Sequence, residues 1–208
     1  MSAEARSAAR PGRLTPLCYE QLDTEQARLW DGLAAGPRGA KAIRPEGNLT
    51  GPFDVLLRAP AVGRVLDDLG AVLRFGSHLS RRHLELVIVV TAARWRAGFA
   101  WVPHAEYARE EGLSDEAIAA VAAGSEPELE LEEDRVVYDF AEQLVRTGRV
   151  SDDGYRAAVS LLGETALVEL VALAGYYSLE SLVLNAFEVP LPEGRSVPWE
   201  DEEASERR

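Results

Sequence analysis

Apolar positions recur at helical spacing along nearly the whole chain. Between Tyr19 and Ala34, the residues Leu22, Ala27, Leu29, Trp30 and Leu33 share one side, and Gly36-Pro37 ends the pattern. The Gly- and Pro-rich stretch 36–52 reads as a loop, followed by a short apolar turn in "GPFDVLLR". Pro60 opens a helix that carries Val62, Val65, Leu66, Leu69, Val72 and Leu73 on one side and stops at Gly76. Ser80 is placed to cap the next helix, where Leu84, Leu86, Val87, Ile88, Val89, Val90, Ala92 and Ala93 leave no polar side. Such a helix belongs at the centre of a fold. Glu85 is the exception within it, and a buried carboxylate needs a partner.

The pattern then predicts a helix from Pro103 to Glu111, closed by Gly112, and another from the Ser114 cap to Gly124. The acidic run "PELELEED" reads as a solvated connector. It leads into an amphipathic helix bearing Val136, Val137, Phe140, Ala141 and Leu144. Ser151 caps a helix to Leu162, and Glu164 to Ala186 forms the last long one. Alternating β-branched runs with hairpin turns are lacking, as is any repeat of fixed period. The expected fold is an all-α, single-domain helical bundle over 14–194. A disordered N-terminal segment (1–13) precedes it, and an acidic C-terminal tail (195–208) with Trp199 as an anchor follows it.

Charge narrows the partners. With 22 basic and 35 acidic residues the net charge is −13, and no basic run interrupts it, so neither nucleic acid nor an anionic membrane surface is an expected partner. The most apolar stretch, Ala166 to Phe187, is interrupted by Glu169, Glu180 and Asn185, and no apolar leader precedes Leu14. Cys18 is the single cysteine, so an intramolecular disulfide or dithiol centre cannot form, in keeping with a cytoplasmic location. In the last helix Tyr176, Tyr177, Glu180 and Asn185 require hydrogen-bonding partners, and Asn185 is expected to find one at a subunit contact.

The candidate chemistry is a carboxylate and an imidazole. Glu85 and His104 sit on consecutive helices joined through "WRAGF", and antiparallel neighbours of this kind can bring one residue from each into contact. On spacing alone a catalytic pair, a structural polar contact and two unrelated residues all remain open. Tyr107 follows His104 by one turn as a hydroxyl donor, while Trp101 and Phe53 are pocket walls or core. Tyr176 and Tyr177 have the same two readings. His83 is expected at a surface or helix end and His78 in a loop. The three histidines have no metal-ligand spacing, so a metal is not expected, and proton transfer by an imidazole and a carboxylate requires no organic cofactor.

Taken in order, the Gly51-Pro52-Phe53 entry, the Pro60 helix, Leu79-Ser80 followed by Glu85, Trp101-x-x-His104, Ala108 and "GLSDEAI" resemble the carboxymuconolactone decarboxylase family, which includes alkylhydroperoxidase D-like proteins. A second block, "LVELVALAGYYSLESLVLNAFEVPLP", resembles the family's terminal helix. The resemblance covers about residues 45–192. It implies a homo-oligomer, a trimer or hexamer, acting on a small molecule. In the peroxidase branch a Cys-x-x-Cys pair precedes the histidine. Here those positions are Ala97 and Ala100, so the resemblance is to the branch without that pair, and no disulfide cycle is available. The decarboxylase branch often carries glutamate where this chain has Ala100. The resemblance implies a cofactor-independent decarboxylase-like enzyme, with His104 as acid/base and Glu85 orienting it, on a small cyclic acid or lactone. An isomerase, cyclase or lyase of specialised metabolism is the alternative on the same fold. A non-catalytic binding or assembly subunit is the alternative of a different class.

Overall fold

The computed structural model describes residues 12–37 and 39–200, apart from the side chains of Ala40 and Lys41. Most of the expected N-terminal segment (1–11 of 1–13) and most of the tail (201–208 of 195–208) lie outside it. The helices are α1 (Thr24–Ala35), α2 (Pro52–Leu56), α3 (Pro60–Phe75), α4 (Arg81–Arg94), α5 (Gly98–Glu110), α6 (Asp115–Ala122), α7 (Glu132–Thr147) and α8 (Asp152–Ala186). No strand occurs among the described residues, only two isolated β-bridges, Cys18 to Asn48 and Ile43 to Leu49. The fold is all-α.

Helix α4 is the axis of the bundle. Every residue from His83 to Ala92 is buried, and α5, α6, α7 and α8 pack around it. The run Val87-Ile88-Val89-Val90-Thr91 is β-branched throughout, which disfavours helix by up to roughly 0.7 kcal/mol per residue. Burying such an aliphatic side chain contributes about 1.5–3 kcal/mol, so packing overrides propensity. Thr91 satisfies its hydroxyl on the Val87 carbonyl at 2.8 Å. A smaller core of Leu29, Trp30, Leu33, Ala42, Leu49 and Leu57 lies under α1, which packs on α3.

Local signals explain where the helices start and stop. Helix α1 begins later than its apolar spacing predicts. Asp23 accepts from the Glu25 and Gln26 amides while the Gln26 side chain returns to the Asp23 amide, a capping box that fixes the start at Thr24. Ser80, Ser114 and Ser151 each cap a helix through the side-chain oxygen. Helix α8 is broken at Gly163 (φ 74°, ψ 165°), where the sequence separates a helix ending at Leu162 from one beginning at Glu164.

Four expectations are corrected. Helix α5 starts at Gly98, not Pro103, because the Ala97 carbonyl already accepts from the Ala100 and Trp101 amides; Pro103 is internal. His83 is buried rather than at the surface, and Asp134, at the end of the supposedly solvated acidic run, is fully buried. The two belong together: Asp134 takes Arg82 Nη2 at 2.7 Å and Nε at 2.8 Å, with His83 Nε2 at 3.5 Å, pinning α7 to α4. Asn185 finds its partner within the chain, donating to the Trp95 carbonyl at 2.6 Å.

Two apolar stripes face outward. On α3, Leu66 and Leu73 are buried, but Val62, Val65, Leu69 and Val72 are exposed; on α8 Val168, Val171, Leu179 and Leu182 are exposed. By length and composition α8 could also cross a bilayer, yet its other face is built into the bundle against α4 and α7. Beyond α8 the chain folds back over α5. Trp199 is buried edge-on against Trp101 with centroids 5.2 Å apart, and a Cβ on Gly98 would come within 3.0 Å of Leu191 and Val197.

Removing one partner of a buried ion pair leaves the other uncompensated. Asp134→Ala should therefore cost about 3 kcal/mol of stability in urea unfolding, whereas an exposed carboxylate such as Asp153 changed to Ala should cost under about 1 kcal/mol.

Candidate active site

The turn between α4 and α5 sets the site. Arg96 takes φ 49°, and the Ala97 amide bonds back to the Ala92 carbonyl at 2.9 Å, so α5 returns directly alongside α4. Glu85 and His104 lie at nearly equal chain distances from that turn and meet. His104 Nδ1 is 2.5 Å from Glu85 Oε2, with Glu85 fully buried and His104 5% exposed. Glu85 Oε1 faces Arg81, one turn earlier on α4, at 2.7 Å, and Arg74, from the last turn of α3, at 3.5 Å. On the other side of the imidazole, the Tyr177 hydroxyl lies 3.2 Å from Nε2.

This geometry fixes the protons. A carboxylate paired with Arg81 accepts only, so Nδ1 carries hydrogen and donates to Glu85. Burial pushes the His104 pKa below the ordinary imidazole value; the bond and charge of Glu85 oppose the shift, while Arg74 and Arg81 reinforce it. His104 is then neutral near pH 7, and its Nε2 lone pair accepts from the Tyr177 hydroxyl. At rest Nε2 is a base.

The pair opens onto a cavity of about 700 Å³ between the small core and the main bundle. Of the residues singled out in the sequence, His104, Tyr107, Phe53, Tyr176 and Tyr177 line it, and Glu85 stands directly behind His104. Tyr107 is edge-on to His104 with centroids 5.8 Å apart. Trp101 does not line the cavity; it packs on Trp199 instead. His78 is held by Glu169 at 2.8 Å and His83 by Asp134, both away from the cavity. Among the described residues no three His, Cys, Asp or Glu side chains converge as a metal site.

Sequence reasoning missed Arg74, Arg81 and Phe99. Arg81 was available, since it precedes Glu85 by four residues on one helix. Arg74 had no local signal, because the turn at Gly76 to Ser80 brings it in from another helix. Phe99 enters through a close approach: a Cβ on Gly51 would lie 2.3 Å from its ring, and Gly51 has φ 58°.

Residues 60–143 match the carboxymuconolactone decarboxylase family model. The matched segment runs from the start of α3 into α7 and contains both Glu85 and His104. Solved structures share the fold across most of the chain's length. An uncharacterised peroxidase-related protein with an AhpD core from Ralstonia eutropha JMP134 is 17% identical, with TM-score 0.69, over 89% of this chain and 95% of that one. A peroxidase-related protein from Silicibacter sp. TM1040 is 15% identical, with TM-score 0.65, over 91% and 96%. The debrominase Bmp8, in complex with a tribromopyrrole, is 11% identical, with TM-score 0.66, over 89% and 95%. No curated protein matches the sequence. Of the two positions where the superfamily's peroxidase branch carries thiols, Ala100 faces the cavity and Ala97 is buried outside it.

The proton inventory predicts a pH dependence of stability. The fold favours neutral His104, whereas the unfolded imidazole titrates near ~6.5. His104 therefore contributes fully above about pH 6.5, and the contribution is lost as pH falls through the lower folded value. His83, also pushed down by burial, acts in the same sense. Urea unfolding at about pH 7.5 and 5.5 should show the loss in the wild type and a smaller one in His104→Gln.

Proposed function

We propose that the protein is a cofactor-independent enzyme that moves a proton on a small cyclic acid or lactone, with Nε2 of His104 as the acid/base and Glu85 as its orienting carboxylate. The observation that carries this reading is the buried relay Glu85–His104–Tyr177 ending in the cavity. Glu85 holds the ring and stabilises its protonated form, and Tyr177 or a substrate oxygen takes the position opposite Nε2. The reaction passes through an enolate or dienolate. The family match favours loss of carbon dioxide to form that intermediate, followed by protonation from His104. The neutral resting state of His104 favours the second reading, a proton shift begun by abstraction at Nε2, as in an isomerase. A thiol peroxidase is disfavoured because Cys18, exposed and alone, has no second thiol to close a disulfide.

The two readings part on pH. Delivery of a proton by His104 makes turnover rise as pH falls below the ordinary imidazole range, and abstraction by neutral His104 makes it fall. With carboxymuconolactone as substrate, carbon dioxide release that rises toward acid pH identifies the decarboxylase. Deuterium uptake from heavy water without carbon dioxide, declining toward acid pH, identifies the isomerase. In either case His104→Gln should lower kcat/KM by about a hundredfold or more. Ligand binding in a folded protein with no turnover of any cyclic acid would return the weight to a binding subunit.

Self-association and a cytoplasmic location belong to the same proposal. The exposed valines and leucines of α3 and α8 support a homo-oligomer of trimeric or hexameric order. Sedimentation equilibrium should show an oligomer that Val65→Glu dissociates, and a monomeric wild type would overturn this part.

A further inference from the structure

Two guanidinium groups share the single Glu85 carboxylate. Arg81 holds it closely, while Arg74 reaches it only at 3.5 Å and meets no other carboxylate at ion-pair distance among the described residues. The Arg74 Nε is buried and has no hydrogen-bond partner. The guanidinium lines the cavity, 5.8 Å from the ring centroids of both Phe75 and Tyr107. A buried N–H without an acceptor, on a cation whose counter-charge is engaged by a nearer rival, is stabilised more by an incoming anion than by a neutral acceptor.

We propose that Arg74 is the anchor for a substrate carboxylate and thereby sets the enzyme's selectivity for anionic ring compounds. The guanidinium fork suits a planar carboxylate. Tyr107 neighbours both groups, its ring centroid 5.8 Å from the Arg74 guanidinium carbon and 5.8 Å from the His104 ring centroid. A ring compound held by Arg74 through its carboxylate therefore shares the cavity with His104. Ion pairing keeps the negative charge on that carboxylate and opposes its departure as carbon dioxide. The anchored group is the one that stays, so a substrate that is decarboxylated here carries a second carboxylate. The inference rests on the reading of this cavity as the reaction site, but its test needs binding and no turnover.

Furoate and its uncharged isostere furamide are titrated calorimetrically at about pH 7.5, where the probe acid is ionised. The wild type should bind furoate at least about tenfold more tightly than furamide. Arg74→Gln should abolish that preference, Arg74→Lys should keep the charge but lose at least about threefold through loss of the fork, and Arg156→Gln, exposed and outside the cavity lining, should leave it intact. His104→Gln should also keep the preference, so failure of the catalytic reading shows as no turnover in a protein that still discriminates the two probes. Equal binding of both by the wild type, no furoate binding, or a preference that survives in folded Arg74→Gln would overturn the proposal. If the Gln variant does not fold, the Lys variant decides: an undiminished preference there overturns it.

Discussion

A carboxylate with no exposure to water, on the most buried helix of the molecule, is the constraint around which the rest is arranged. Glu85 is tolerable only because Arg81, Arg74 and His104 surround it. Each reaches it by a different route: Arg81 by helical periodicity, Arg74 by the fold-back after α3, and His104 by the turn into α5. The architecture that buries α4 on all sides therefore also sets the tautomer and charge of the imidazole facing the cavity. Stability and chemistry meet in one side chain.

Much of the fold was legible because helix boundaries follow local chemistry. Ser80, Ser114, Ser151 and Gly163 mark ends that a single sequence displays. The misreading at Pro103 shows where that logic stops. Proline is favoured in a first helical turn, but the Schellman-like closure of α4 through Ala97 had already launched α5 five residues earlier. Asp134 failed for the same kind of reason. Composition made it one more charge in an acidic run, and only Arg82 from α4 makes it a core residue.

The site divides along the same line. Glu85 and His104 were visible because polarity inside an apolar helix is anomalous in one dimension, and Tyr107 because it follows His104 by a turn. Tyr177 was visible only as a polar group needing a partner; that the partner is Nε2 depends on how α8 docks. Trp101 looks like a pocket wall from its neighbourhood of His104, yet its direction around α5 sends it to Trp199. Distance along a helix is readable from sequence, whereas the azimuth that a neighbouring helix sees depends on packing.

The cavity takes its walls from segments far apart in the chain: Pro52 and Phe53 before α3, and Pro192, Glu193 and Arg195 after α8, with Arg195 paired to Glu106. The Glu85–His104 pair itself is made by two consecutive helices, α4 and α5. The pair can therefore assemble from neighbouring helices, whereas the cavity in front of it closes only when the segments before α3 and after α8 have both docked. Formation of the pair and enclosure of the cavity are thus separate events of folding.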